Sequence, residues 1–283
     1  MPAFPIVDTH LHLWDPQYLR YVWLDDIPLL NKAYLLEEYK KATAHVEVEK
    51  MVFLQCECSF DQCEEEAGWV TELAKVDKRI QGIVPWAPIE LGEKAKDILD
   101  RYSENKLIKG IRRIIQFEPD IKFCLQPNFV RGVQMLADYD LSFDICISHI
   151  QLKNTIELVR QCPDVRFILD HIGKPDIKNQ NFEPWKNELR ELAKMQNVHC
   201  KMSGLVTEAD HHYWTKEDLK PYIDHVMDCF GVDRVIFGGD WPVAFQATTY
   251  PRWVETLDWA LAGYSENDLR KIYRENAIAF YKL

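Results

Sequence analysis

Two histidines spaced two apart, His10 and His12, end the apolar run Ile6-Val7-Asp8-Thr9-His10-Leu11-His12 near the N-terminus. Alternate residues of a strand share a face, so Ile6, Asp8, His10 and His12 are expected on one side with the two imidazoles adjacent. Paired imidazoles bind a divalent ion or hydrogen-bond a polar substrate. An isolated His-x-His also arises by chance, so its partners elsewhere in the chain decide its meaning. Ionisable and amide side chains interrupt or follow later apolar runs: Gln55 and Glu57, Arg112 and Arg113, His149, Asp170-His171 with Lys174, Lys201 with Glu208 beyond, and Asp240. A buried charge is costly unless it is paired or put to use. Trp14, Trp86 and Trp241 adjoin these groups and offer aromatic faces for a substrate, with core packing as their plain alternative. Glu57 reads equally as a solvated loop residue and Lys201 as a side chain reaching outward. One of Arg112 and Arg113 is expected to face away from the site, because neighbours in a strand point to opposite faces.

These groups need a scaffold that brings them to one place. Short β-like runs recur at Ile6–His12, Lys50–Cys56, Ile80–Trp86, Ile108–Ile114, Leu141–Ile147, Val165–Leu169, Val198–Met202 and Arg234–Phe237. Most are continuously apolar, as expected of parallel strands covered on both faces. Helical periodicity lies between them, at Tyr34–Thr43, Cys63–Val76, Glu93–Tyr102, Asn128–Asp138, Asn154–Gln161, Trp185–Met195, Glu217–Cys229 and Arg252–Ala262. A last helix, Asp268–Tyr281, follows the capping signal Ser265-Glu266-Asn267-Asp268. Pro127, Pro184 and Pro221 fall in or near first helical turns. Eight βα units in 283 residues predict an α/β fold, a single-domain (β/α)8 TIM-like barrel spanning 1–283. A dinucleotide-binding sheet would carry G-x-G-x-x-G after its first strand, and none is there. In such a barrel chemistry gathers at the C-terminal ends of strands, where nearly all of the polar groups above fall.

Composition narrows the partners. Hydrophobic residues make up 47% and charged residues 28%, as in an ordinary globular protein. The net charge of −11 argues against a nucleic-acid surface. No apolar run approaches the ~20 residues of a membrane helix, and Met1-Pro2-Ala3-Phe4-Pro5 does not open a secretory signal. Most of the eight cysteines sit in apolar runs, consistent with reduced thiols and a cytoplasmic location. Cys56-Glu57-Cys58 with Cys63 lacks the second pair that a zinc site of that type requires.

Asp8-Thr9-His10-Leu11-His12, Asp170-His171-Ile172-Gly173-Lys174-Pro175 and Gly239-Asp240-Trp241-Pro242 together resemble the amidohydrolase superfamily. More closely, they resemble its amidohydrolase-2 branch of lactone-hydrolysing enzymes, which includes L-fuconolactone, L-rhamnonolactone, 2-pyrone-4,6-dicarboxylate and sulfomuconolactone hydrolases. The likeness spans essentially the whole chain. Gly110-Ile111-Arg112-Arg113-Ile114-Ile115-Gln116, followed by Glu118-Pro119-Asp120, is most similar to the sugar-lactone side. The resemblance implies that Asp240 is the base that activates water. His10, His12 and His171 would bind metal, with Asp240 as a fourth ligand, or polarise the lactone carbonyl, and Arg112 would hold substrate oxygens. Binuclear members carry a bridging lysine at the end of strand 4; Arg112 stands there instead, so a two-metal centre is not expected. One divalent ion, zinc first among the choices, and metal-independent catalysis both stay open.

Hydrolysis of a lactone requires a nucleophilic water, a counter-charge for the carbonyl oxygen and a proton for the leaving alkoxide. Imidazolium forms of His10 and His12, or a bound ion, would meet the oxygen's charge. Gln55, Glu57, Trp14, Trp86, His149, Lys174, Glu208 and Trp241 complete the expected substrate contacts. Cations are few beside the acids, which favours an uncharged aldonolactone, such as L-fuconolactone or L-rhamnonolactone, as the small-molecule partner. The alternatives are an anionic lactone of the pyrone-dicarboxylate or muconolactone type, a zinc-dependent decarboxylase of the same branch, or a sugar-binding barrel without catalysis. A homo-oligomer is compatible with all of these.

Overall fold

The structure, a computed structural model, describes residues 1–283. Eight parallel strands form in the order read from the sequence: β1 (Ile6–Leu11), β2 (Val48–Leu54), β3 (Ile80–Val84), β4 (Gly110–Ile111), β5 (Ser142–Ile145), β6 (Arg166–Leu169), β7 (Val198–Met202) and β8 (Val235–Phe237). Regular pairing runs β1-β2-β3 and β4-β5-β6-β7-β8. Single parallel bridges, Ile83 with Ile108 and Leu11 with Trp241, join the two sets into a closed ring. The second seam is drawn tight by His12 N–H to Trp241 O at 2.9 Å and Asp240 N–H to His10 O at 2.8 Å. The predicted barrel therefore forms. β4 is much shorter than the Ile108–Ile114 run; just beyond it, Arg112 N–H donates to Pro85 O at 3.0 Å on the β3 side.

Helices α1 (Leu36–Ala42), α2 (Cys63–Val76), α3 (Lys96–Ser103), α4 (Pro127–Met135), α5 (Leu152–Gln161), α6 (Trp185–Ala193), α7 (Lys216–Phe230) and α8 (Tyr250–Ala260) surround the ring. Pro127 occupies the first turn of α4, where a missing N–H costs little. Pro221 differs from expectation: it lies inside α7, whose start is set by Thr215 and its reciprocal bonds with Asp218. The predicted cap at Ser265 starts α9 (Glu266–Arg270), which continues through a widened turn, Lys271–Glu275, into α10 (Asn276–Tyr281). No helix is long and apolar enough to cross a membrane. All eight cysteines are free thiols, and seven of them are buried.

Two apolar clusters sort the strand residues. The large one packs the helix layer onto the ring. The small one gathers Val7, Val52, Leu54, Val84, Ile168 and Ile236 with Ala277, Phe280 and Tyr281 of α10. α10 thus closes one end of the barrel and packs against its interior residues. Along β1 the alternation breaks. Val7 belongs to the interior cluster, whereas Asp8 accepts hydrogen bonds from Tyr39 of α1 (2.8 Å) and Tyr250 of α8 (3.0 Å) in the helix layer. A register shift between Asp8 and Leu11 then turns His10 inward. Asp8 and His10 therefore do not share a face, as uninterrupted alternation predicts. A bulge adds one residue to the strand and inverts the pattern beyond it.

Candidate active site

At the C-terminal mouth of the ring three imidazoles converge on one carboxylate oxygen. His10 Nε2, His12 Nε2 and His171 Nε2 lie 3.8, 3.8 and 3.9 Å from Asp240 Oδ1. Each ring is held from behind. His12 Nδ1 donates to Leu54 O at 2.9 Å, so its Nε2 keeps the lone pair facing Asp240. His171 Nδ1 meets Ser203 Oγ at 2.9 Å, and His10 Nδ1 faces Asp170 Oδ1 at 3.5 Å. The backbone bends sharply here: His171, Ile172, Lys174 and Asp240 take positive φ, near 50°. Non-glycine residues rarely adopt that region, and such strain collects at functional sites. Gly204 permits the approach of β7's end. A Cβ there would lie 2.2 Å from His171 Nδ1, on a backbone with φ of +65°.

Beneath the imidazoles runs a string of buried charges. Arg112 Nη1 is 3.1 Å from His10 Nε2 and donates to Asp170 Oδ2 at 3.2 Å, and Arg112 Nη2 donates to Gln55 O. Lys201 Nζ bridges Asp170 Oδ1 at 2.8 Å and Asp144 Oδ2 at 2.9 Å. Asp144 in turn accepts from Tyr281 of α10 at 2.5 Å and Ser142 at 3.1 Å. Two cations and two carboxylates thus offset each other inside the barrel. The sequence left Lys201 equally free to point outward; the structure buries it completely. The Arg112–Arg113 expectation is met. Arg113 turns away, pairing with Glu90 at 3.3 Å and Glu118 at 2.5 Å.

Burial sets the protonation states. It lowers His10 and His171 well below the ordinary histidine value and brings His12 down to about 3. The three rings are therefore neutral at pH 7, which corrects the imidazolium expectation: they are lone-pair donors and not cations. Burial pushes Asp240 up to about 7, with Lys174 and Arg112 opposing it. Burial would also raise Asp170, but Lys201, His10 and Arg112 overcome it and hold that carboxyl well below the usual range.

This donor set fits a divalent ion. His10, His12 and Asp240 offer ligand atoms within 4.8 Å of one another, as do His10, Asp170 and His171. The 3.8–3.9 Å separations from Asp240 exceed hydrogen-bond range and are shorter than two ~2.0–2.1 Å zinc–ligand bonds end to end. Zinc-bound histidines commonly have their second nitrogen oriented by a carbonyl, hydroxyl or carboxylate, as here. His10 differs from the other two in that its Nε2 also faces Arg112.

The mouth opens into a cavity of about 920 Å³ whose lining includes His12, Arg112, His171 and Asp240. Of the other expected contacts, Trp14, Glu57, Lys174 and Glu208 reach it. Gln55 lies behind Glu57, donating to it at 2.8 Å and accepting from its N–H at 2.6 Å. Trp86 is not part of the wall: it lies stacked on Phe60 at 4.8 Å. Trp241 packs against Tyr34, Tyr39 and Phe245 in the core. His149 also stands outside, donating to Lys174 O at 3.0 Å. Sequence reasoning missed Asp144 and Tyr281, and the loop residues Thr207, His211, Gln246 and Gln116 of the wall. Asp144 carried a signal, an acid inside Phe143–Ile147; the loop residues carried none.

Comparison with known proteins identifies the family. A family model for amidohydrolases, Amidohydro_2, matches residues 7–283. An L-fucono-1,5-lactonase of Burkholderia ambifaria is 27% identical over 98% of this chain and 95% of its own. An L-rhamnono-gamma-lactonase of Scheffersomyces stipitis is 26% identical, with 100% of both chains covered. The crystal structure of an amidohydrolase from Burkholderia multivorans, with bound zinc, has a TM-score of 0.90 at 25% identity, covering 99% of this chain and 100% of that one.

Proposed function

The chain belongs to the Amidohydro_2 family of amidohydrolases, and from that premise we propose that it is a lactonase: it opens an uncharged sugar lactone of the aldonolactone class to the free acid. The observation that carries this reading is the convergence of three neutral imidazoles on Asp240, whose carboxyl titrates near neutrality at the floor of a substrate-sized cavity. A general base works best when its pKa lies near the working pH. Asp240 Oδ1 takes a proton from water as the water oxygen bonds to the lactone carbonyl carbon. The tetrahedral centre then collapses by breaking the bond to the ring oxygen. Asp240 returns the proton to that oxygen, giving the hydroxy acid. Arg112, a buried cation at the same floor, offsets negative charge that develops on substrate oxygens.

His10, His12, His171 and Asp240 are the residues that would hold a divalent ion, zinc being the best match to this ligand set; when bound, such an ion polarises the carbonyl and acidifies water. The lactonases named among the relatives support the reaction class, and the pocket's charge supports the uncharged substrate. Asp26, Glu57, Glu208 and Asp240 face the cavity against Arg112 and Lys174, a poor match to a dicarboxylate. The partner is a small molecule, with no nucleic acid or membrane, and the catalytic unit is one barrel domain.

A pH-indicator screen of aldonolactones, on chelated and on zinc-reloaded protein, tests the proposal. Proton release on lactone opening is expected and is abolished in Asp240→Asn. Carbon dioxide release from an aromatic acid without any lactone turnover would replace this reading with decarboxylation.

A further inference from the structure

Aromatic groups gather on one side of the cavity wall. The loops after β6, β7 and β8 present Lys174, Thr207, Glu208, His211 and Gln246. The loops after β1, β2 and β4 carry Asp26, Glu57 and Gln116, and among them an apolar patch of Val22, Trp23, Ile27, Phe60 and Phe117. The apolar patch is costly to leave in water: Phe117 is 77% exposed, Val22 62% and Phe60 56%. It is also built. Phe60 lies flat on Trp86, with ring centres 4.8 Å apart and planes 14° from parallel. Trp23 stands edge-on to Trp14 at 5.3 Å and donates from its indole N–H to Cys56 O at 2.8 Å.

A sugar lactone gives this patch little to do. Its hydroxyls call for the polar wall, and one C–H face covers at most one aromatic ring. The cavity's 920 Å³ stands near the top of the ~300–1,000 Å³ range of sites that enclose drug-sized molecules, far more than a single sugar ring fills. Flat and edge-on aromatic faces in a fixed wall match an aromatic partner.

We infer that the substrate is a lactone bearing an aromatic substituent, with the lactone ring held at Asp240 and the substituent seated between Phe60, Phe117 and Trp23, which the buried Trp14 backs. This inference rests on the lactonase reading for the identity of the ring and on the apolar wall for the substituent. The polar wall then handles the hydroxyls that remain on the ring.

The test compares a hexono-1,5-lactone with its mono-O-benzyl ether, using the protein as purified. The benzyl ether is expected to show a roughly tenfold lower KM at similar kcat, the scale of burying one phenyl ring. Phe60→Ala/Phe117→Ala should erase that ratio, whereas Val76→Ser, an exposed apolar residue of α2 away from the cavity, should preserve it. Equal KM values for the two lactones, or a ratio that survives the double substitution, would overturn the subsite. If neither lactone is opened, the lactonase reading fails separately. The subsite is then judged by titrating the benzyl ether against tryptophan fluorescence: a saturable change lost in the double variant supports it, and no change rejects it.

Discussion

The interior of the barrel and the rim of its mouth handle charge in opposite ways. In the interior, Lys201 touches Asp170 and Asp144 at 2.8 and 2.9 Å with no solvent access on any of the three. At the rim, Lys174 and Glu208 stand 3.9 Å apart and both remain partly exposed. The interior groups come from strands β5 and β7 and from the residue that directly follows β6, whose positions the ladder dictates. The rim groups come from loops. A buried, hydrogen-bonded charge set fixes geometry at a high cost of disruption, whereas an exposed pair contributes little and is easily changed. The interior is therefore suited to holding His10 and Arg112 in one arrangement, and the rim to selecting among substrates.

The largest effect expected is at the junction of the two regions. Asp240→Asn should lower kcat for lactone opening by roughly 10²–10⁴-fold, while thermal unfolding shows no loss of stability because a costly buried carboxylate is gone. Next, Lys201→Met strips the counter-charge from two buried carboxylates. Guanidinium unfolding should show a loss of about 3–5 kcal/mol, and Lys174→Met at the rim should change stability by less than about 1 kcal/mol. Equal losses at the two lysines would erase the distinction between interior and rim.

A third measurement is the acid limb of kcat/KM. Asp240 must be ionised to accept a proton, and burial raises it to about 7. In chelated protein activity should therefore fall about tenfold per unit as pH drops below 7. A divalent ion favours the carboxylate, so zinc should move the limb to lower pH. A limb unmoved by zinc would place the ion away from Asp240. Tyr281→Phe removes a donor to the buried Asp144 at the closed end of the barrel, and should cost about 0.5–1.5 kcal/mol in the same unfolding experiment. The smallest effect is Glu208→Gln, a rim change expected to alter KM for the sugar lactone by less than about tenfold with kcat kept.

Buried Glu66 of α2 adds a stability signature separate from catalysis. Its carboxylate accepts from Cys56 N–H at 3.2 Å, and burial lifts its pKa to about 8. A carboxyl raised on folding stabilises the protein while protonated. That contribution is present below the unfolded value, near 4.5, and is lost as pH rises through about 8. Thermal midpoints should fall over that interval, and Glu66→Gln should flatten the fall.

Residue types and local periodicity were sufficient to order the eight strands, to place α2 at Cys63–Val76, and to mark His10, His12, His171 and Asp240 as strand-end groups. These are short-range properties: apolar runs, caps and motifs survive reading in one dimension. Which way a side chain faces is not local. Asp8 leaves the face of His10 because Gly239, 231 residues away, donates to it at 2.8 Å at the seam where the ring closes. Lys201 turns inward because Asp170, just beyond the adjacent β6, and Asp144, on β5 across the barrel interior, await it. Trp86 and Trp241 are absent from the cavity wall because Phe60 and the Tyr34–Tyr39 pair cover them. Neutral histidines and a near-neutral aspartate likewise depend on burial, which exists only after the barrel closes. The sequence by itself determined which groups this protein has and along which strands they lie. The closed ring alone decided which of them meet, which are paired below the site and which face the substrate, because those contacts join residues that only the fold brings together.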